Sequence, residues 1–387
     1  MKSFWQKWQR EVPQSDSDYE KQVAQLRAHA PIPVMWMFGK TGSGKSSIIH
    51  SLTGADEAII GEGYRPETKT SRRFDFPDAT DPLLTFLDTR GLGEARYDPT
   101  SDIDRFSAST QLMMVTVKVT DHALVDIIEP LRRIRRSDPQ RPVLLVLTCL
   151  HEATPGIDLS DRENDPFNEG STSEVPDRLR VLIEEKKEQF NGLFDHMIPV
   201  DLTRLEDGFA DPDFGGDRLR QAILSHLPQA YRQALLSLYS EDSSGRSNRR
   251  KKARWQIMAS CAAAGLLGAI PVPWADIPGV LGIQSHLAMR LAKIYEQELT
   301  PARWALLSSV AGSHIAMRMA LRGVLKFVPI VGMAAGAAGS FAFTYALGMS
   351  WDWYFADLRA GNVPDPDKLR EIFAKELQRG HELWRAQ

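Results

Sequence analysis

The chain has 387 residues, 43% hydrophobic and 25% charged, with a formal net charge of −3. That balance is too apolar and too near neutral for a disordered chain, and the length suits more than one domain. The two cysteines, Cys149 and Cys261, stand far apart. They exclude a disulfide scaffold and a Cys-rich zinc module, and they suit a reducing compartment.

The nine histidines show no metal-ligand spacing. The near-neutral total hides an asymmetry. Residues 245–351 carry twelve Lys/Arg against Asp276, Glu296 and Glu298, a net of +9, which leaves −12 for the remainder. Such a split predicts that the second half meets an anionic surface.

In chain order, residues 1–30 hold Phe4, Trp5 and Trp8 without a continuous apolar run. They read as a helical, cytoplasmic lead-in and not as a secretory signal. Residues 31–237 alternate apolar runs with helical stretches, which predicts an α/β domain whose mainly parallel sheet is flanked by helices. Candidate strands are 33–38, 72–76, 83–87, 113–119, 143–147 and 197–200. Candidate helices include 45–52, 126–136 and 176–190. Residues 238–254 read as a basic linker, 255–351 as an all-α apolar domain, and 352–387 as a charged helical tail.

The strongest motif is Gly39-Lys40-Thr41-Gly42-Ser43-Gly44-Lys45-Ser46. It follows an apolar run and opens a helical pattern, the strand–loop–helix context of a phosphate-binding loop. Its glycines let backbone N–H groups curl around phosphates, and the helix end adds positive dipole. Ser47 continues this stretch. Lys45 is placed to reach the β- and γ-phosphates, and Ser46 to ligate Mg²⁺. A second element, Leu87-Asp88-Thr89-Arg90-Gly91, ends a buried strand. Asp88 can hold Mg²⁺ through water, and the Gly91 N–H can contact a γ-phosphate, so that hydrolysis releases the loop. Between the two lies a Thr-rich loop. Thr68, with Thr70 as the alternative, would complete the Mg²⁺ shell.

Together these elements resemble the small-GTPase-like P-loop proteins, and within them the bacterial Era-like group, over residues 31 to about 205. The resemblance implies a GTPase G domain that binds GTP or GDP with Mg²⁺. It puts Thr68 and Gly91 in two switch segments, with Lys45, Thr68 and Gly91 serving hydrolysis. The pattern departs in the base-reading stretch Thr148-Cys149-Leu150-His151-Glu152. Thr148 fits, Cys149 replaces the family's Lys, and His151 replaces its Asp. A neutral imidazole cannot accept both hydrogen bonds from guanine. Glu152, one residue on, is the carboxylate expected to substitute. Leu92 follows Gly91 where Ras-like members carry a water-orienting Gln. Hydrolysis is therefore expected to be slow, or to need a partner Arg or dimerisation across the nucleotide. Arg65, Arg72, Arg73 and Arg90 are unspecific candidates in cis. Gly42 stands where potassium-activated members carry Asn, so that activation is not expected.

In the apolar half, Arg249, Arg250, Lys251, Lys252 and Arg254 abut a sixteen-residue apolar run ended by Pro271 and Pro273. As helix it is about 24 Å long, short of a bilayer. The pieces look like a helical hairpin. A second run, 327–351, has no charge. Its portion 330–351 is about 33 Å long as helix, enough to span. Gly332, Gly336 and Gly339 give it a small-residue face, and Trp351, Trp353, Tyr354 and Phe355 suggest an aromatic belt. Arg318, Arg322 and Lys326 precede it on one helical face. The alternative is a helical bundle whose apolar helices pack on protein. No aromatic RNA platform accompanies the basic cluster, so nucleic acid ranks lower.

The order of parts resembles bacterial proteins in which an Era-like GTPase domain precedes a hydrophobic domain of unknown function. The expectation is a GTP-dependent switch on the cytoplasmic side of the inner membrane, peripheral or inserted. It would be coupled to an anionic membrane surface or to self-association as a homodimer. The alternatives are a nucleotide-gated scaffold with negligible hydrolysis and a P-loop ATPase with relaxed base selectivity.

Overall fold

A computed structural model describes residues 32–55, 65–66, 71–79, 82–89, 110–155, 165–168, 171, 173–203, 213–239, 248–269, 277–300, 302–307 and 329–385. The lead-in 1–30 and the expectations on Thr68, Thr70, Arg90, Gly91 and Leu92 fall outside these residues, as do those on Arg318, Arg322 and Lys326. The chain divides into two compact units: Pro33–Ala79 with Leu84–Leu227, and a second built on Pro228–Gln387.

The first unit is a seven-stranded sheet. Its strands are β1 (Val34–Phe38), β2 (Arg65–Pro66), β3 (Ser71–Phe76), β4 (Leu84–Thr89), β5 (Leu112–Lys118), β6 (Val143–Thr148) and β7 (His196–Pro199). The order is β2-β3-β4-β1-β5-β6-β7. β4, β1, β5, β6 and β7 pair in parallel, while β2 and β3 add an antiparallel edge. β1, β5 and β6 are near-continuous apolar runs because both faces of a central parallel strand are covered.

Among the described residues, the α-helices of this unit are α1 (Lys45–Thr53), α2 (Val125–Ser137), α3 (Asp177–Gln189) and α4 (Gly216–Ser225). In α2 the buried Ile127, Leu131 and Ile134 recur at helical spacing. They share one core with Leu179 and with Trp36, Phe38, Val115, Val117, Leu145 and Leu147 from alternate positions of three strands. The register matters for the site. Met37 of β1 lies opposite Asp88 of β4, so Asp88 reaches the sheet end where the glycine loop begins.

The second unit is helical: α5 (Gln229–Tyr239), α6 (Asn248–Gly268), α7 (Ile277–Ile294), α8 (Pro329–Arg359) and α9 (Pro366–Arg385). α6 packs on α5, α7 and α8, and α9 packs on α8. Small residues set the spacing. A Cβ on Gly268 would meet Gly336 O at 2.5 Å, and one on Gly380 would meet the Ala342 Cα at 2.8 Å.

Several boundaries differ from the sequence reading. The division falls at Leu227/Pro228, because α5 packs on helices of the second unit. Residues 248–254, expected in a linker, are the first turns of α6, and Arg254 is buried there. No helix breaker separates them from the apolar run. The expected break at residue 351 lies inside α8, because Tyr354 and Phe355 continue its buried face. Trp351, Tyr354 and Phe355, expected at a lipid interface, are 4%, 4% and 0% exposed. Among the described residues no helix is long and apolar enough to cross a membrane.

Candidate functional site

The site grows from the end of β1. The chain leaves Phe38 through the glycine loop into α1, as the motif requires. Gly42 and Gly44 have φ of 76° and 89°, a region that side chains enter only with strain. Gly39 is small for another reason. A Cβ there would lie 2.2 Å from Thr116 Oγ1 and 2.5 Å from the Thr116 carbonyl oxygen. α1 begins at Gly44 with no side-chain cap and no acidic residue in its first turn. Its leading N–H groups and its dipole are therefore turned toward an anion.

Two neighbouring strands brace the loop. Ser43 Oγ lies 2.6 Å from Thr116 Oγ1 of β5. Thr148 Oγ1, at the end of β6, donates to the Ser43 carbonyl at 3.0 Å. A third brace is ionic. Lys40 Nζ is 2.8 Å from Asp121 Oδ2 and also donates to the Ala123 carbonyl. Burial alone would raise the Asp121 carboxyl, but Lys40 and the Ala123 N–H outweigh it and hold the group below its ordinary value.

Lys45 folds back on its own loop. Its Nζ donates to the Gly39 and Lys40 carbonyls at 2.7 and 2.9 Å. Asp88 Oδ1 is 3.6 Å from the same Nζ, an ion pair too long for a good hydrogen bond. Burial pulls the Lys45 ammonium below its ordinary value against the attraction of Asp88. Burial likewise pushes the Asp88 carboxyl up, against Lys45 and Arg72. Asp88 Oδ1 is buried with no hydrogen-bond partner among the described residues. A desolvated carboxylate oxygen without a donor suits a hydrated divalent cation, and Ser46, in the first turn of α1, carries a hydroxyl of the kind such a cation takes. Among the described residues no cluster of three His, Cys, Asp or Glu is arranged to hold a metal by itself. A site that shares Mg²⁺ with bound phosphates needs no such cluster.

The base-reading stretch follows β6. Cys149 has φ 54° and leads a short 3₁₀ turn, Leu150–Ala153. Glu152 turns toward β5: its two oxygens accept from Lys118 Nζ at 2.7 Å and Thr120 Oγ1 at 2.5 Å. Burial would raise the Glu152 carboxyl, but these two donors hold it below its ordinary value. The carboxylate expected to read a base is thus engaged in tying the turn to β5.

His151 is bound from the other side. Its backbone N–H and its Nδ1 both meet Asp201 Oδ2, at 2.9 and 2.7 Å. Asp201 is 0% exposed. An ionised carboxylate only accepts, so Nδ1 is the donating nitrogen of this pair.

Of the residues the sequence singles out, the structure brings together 39–47, Asp88 and Thr148. Thr68 and Gly91 lie outside the described residues. Sequence reasoning missed Thr116 and Lys118, and it marked the strand ends at Asp121 and Asp201 by resemblance without giving either acid a role. Thr116 carried a usable signal as the lone hydroxyl in an apolar strand. So did Asp201, an acid just past the end of a buried strand, the same pattern that marked Asp88.

The fold is that of a P-loop GTPase domain, a mostly parallel sheet with flanking helices, followed by a helical region. Residues 34–149 match the family described as "50S ribosome-binding GTPase", a G-domain family. Many solved structures are similar, including two at low identity. One is a bacterial selenocysteine-specific elongation factor, EF-Sec, with 18% identity and a TM-score of 0.32 over 51% of this chain. The match spans 28% of that protein's length. The other is the FeoB G-domain of Methanococcus jannaschii, with 17% identity and a TM-score of 0.27, covering 50% of this chain and 96% of that one. No curated protein matches the chain.

Proposed function

We propose that the chain is a nucleotide-dependent switch that binds GTP and GDP with Mg²⁺ and hydrolyses GTP slowly. The observation that carries this reading is the glycine-led start of α1, uncapped and free of acids, with Lys45 inside the loop and the donor-less Asp88 oxygen facing it. Bound phosphates would draw Lys45 Nζ off the Gly39 and Lys40 carbonyls. Thr116, Thr148 and Lys40 hold the loop's shape meanwhile, so little reorganisation accompanies binding. Ser46 and Asp88 would hold Mg²⁺, which neutralises charge on the phosphates when bound. On this reading Thr68 and Gly91 sense the γ-phosphate. The basic second half couples nucleotide state to an anionic membrane surface on the cytoplasmic side, or to a second copy of the chain.

The test is fluorescent nucleotide binding to the full chain, competed with GTP, GDP and ATP, beside a Lys45→Ala control. Competition by GTP and GDP far below the ATP concentration supports the reading. Binding that survives Lys45→Ala overturns it. A second reading has its own support in the Glu152 and His151 bonds. With Glu152 held by Lys118 and Thr120, and His151 held by Asp201, the site is a P-loop NTPase with relaxed base selectivity. Equal competition by ATP would favour that reading.

A further inference from the structure

The buried stripe of α9 reads Leu369, Phe373, Glu376 and Gly380. It faces α8, where Phe373 meets Phe343 and Gly380 lies against Ala342. Three of these residues suit a helix interface, and Glu376 does not. It is 8% exposed, and its Oε2 has no hydrogen-bond partner among the described residues. A buried carboxylate oxygen without a donor is costly, and an aliphatic side chain of similar volume would pack there without that penalty.

Among the described residues no cation pairs with Glu376. Arg254, the one cation buried in this unit among those residues, donates to Ser237 and Tyr345 at 3.2 and 3.1 Å. Arg250 and Lys375 border the same space from exposed positions, and neither forms a hydrogen bond or ion pair with the carboxylate.

That space is a cleft of about 440 Å³, lined by Glu376. Helical spacing builds it. Met349, Trp353 and Ala356 recur on one face of α8 and form an apolar floor with Ile372, one turn before Glu376 on α9. Asp352 and Asp357 flank this floor. Both are fixed where they lie: Asp352 accepts from the Tyr295 hydroxyl at 2.6 Å, and Asp357 from Asn362 Nδ2 at 2.8 Å. The Trp353 ring already carries the Lys368 ammonium 5.4 Å from its centre, so the floor offered to a ligand is aliphatic. A buried carboxylate oxygen without a donor, two flanking carboxylates and an aliphatic floor match a positively charged donor on an apolar stem.

We propose that this cleft binds a small aliphatic amine, its ammonium group donating to Glu376 Oε2 and its carbon chain lying on Met349, Ala356 and Ile372. The inference is independent of the nucleotide reading and of the membrane reading.

The test is calorimetric titration of the full chain with diaminobutane, which carries an amine at each end. It is run at about 0.15 M salt, where diffuse attraction to surface acids is screened. The matching butanediol is the uncharged control. The parent chain is expected to bind the diamine and not the diol. Glu376→Gln keeps the side-chain shape and removes the charge, and should lower the affinity about 10–100-fold, the range of a hydrogen bond between charged groups. Glu371→Gln removes the same charge from an exposed position of α9 outside the cleft, and should change the affinity less than about threefold. Ala356→Leu leaves every carboxylate in place and fills the floor. It should abolish binding, and it carries the test where Glu376→Gln fails to fold. A parent chain that binds neither probe overturns the proposal, as does a diol that binds as well as the diamine. So does diamine affinity that survives Glu376→Gln or Ala356→Leu, or that falls equally in Glu371→Gln.

Discussion

Removing the His151 side chain should destabilise the first unit by an amount the structure bounds. Asp201 is fully buried and takes the Nδ1–H of His151 at 2.7 Å. It keeps two backbone donors when the ring goes: the His151 N–H at 2.9 Å and the Thr203 N–H at 3.2 Å. A hydrogen bond to a buried charged group contributes about 1.5–3 kcal/mol. Because two donors remain, the loss in His151→Ala belongs in the lower half of that range, about 2 kcal/mol. For a domain of this size that lowers Tm by roughly 4–8 °C. The assay is differential scanning calorimetry of the full chain. The relevant transition is the one that rises on adding GDP and Mg²⁺. His151→Asn keeps an amide donor in reach and should recover part of the loss. A shift in His151→Ala below about 1 °C would refute the argument, because the bond would then carry no net stabilisation.

Three further outcomes follow from the geometry. Gly39→Ala sets a methyl against the Thr116 carbonyl, which has nowhere to go in the centre of the sheet. Overpacking costs about 1–3 kcal/mol, read as a roughly 10–100-fold loss in fluorescent-nucleotide affinity. Burial holds the Asp88 carboxyl above its ordinary value of 3.8, and Mg²⁺ needs the ionised form. Mg²⁺-nucleotide affinity should therefore fall as pH drops through that raised value, and Asp88→Asn should flatten the profile. In the nucleotide-free chain the sign reverses: protonation relieves a desolvated charge, so Asp88's contribution to stability grows through the same window. Gly380→Ala places a Cβ 2.8 Å from the Ala342 Cα and 2.9 Å from its carbonyl. It should cost the helical unit about 1–3 kcal/mol in thermal unfolding, with nucleotide affinity unchanged.

The sheet was legible because its signals are local. A fully buried parallel strand must be apolar along its length, and β1, β5 and β6 are. The glycine loop was legible for a similar reason, since its φ values demand glycine at fixed spacing. What surrounds the loop was not, because its braces come from residues far away in sequence. Thr116 touches Ser43 only because β5 pairs with β1, and Asp201 reaches His151 only because β7 pairs with β6. Glu152 shows the same limit. It is the nearest carboxylate to the position where the resemblance expects a base-reading Asp, one residue past His151. Lys118 and Thr120, a strand away, decide where it turns.

The helical unit failed to declare itself for a different physical reason. An Ala- and Gly-rich apolar helix suits lipid and suits close packing on another helix, because small residues permit backbone approach in both settings. Composition therefore left 327–351 open to both. The contacts decide for the part whose side chains are described. Phe341 lies 5.4 Å from Trp384, Phe343 lies 5.5 Å from Phe373, and both partners are on α9. Gln284 donates to Thr344 at 3.0 Å in the buried interior, and Arg254 donates to Tyr345 at 3.1 Å. A helix whose large apolar side chains face protein, and whose polar groups are satisfied by neighbouring helices, has little apolar surface left to offer a bilayer. The membrane attraction proposed for this chain would then come from charge, and should weaken steeply as salt rises.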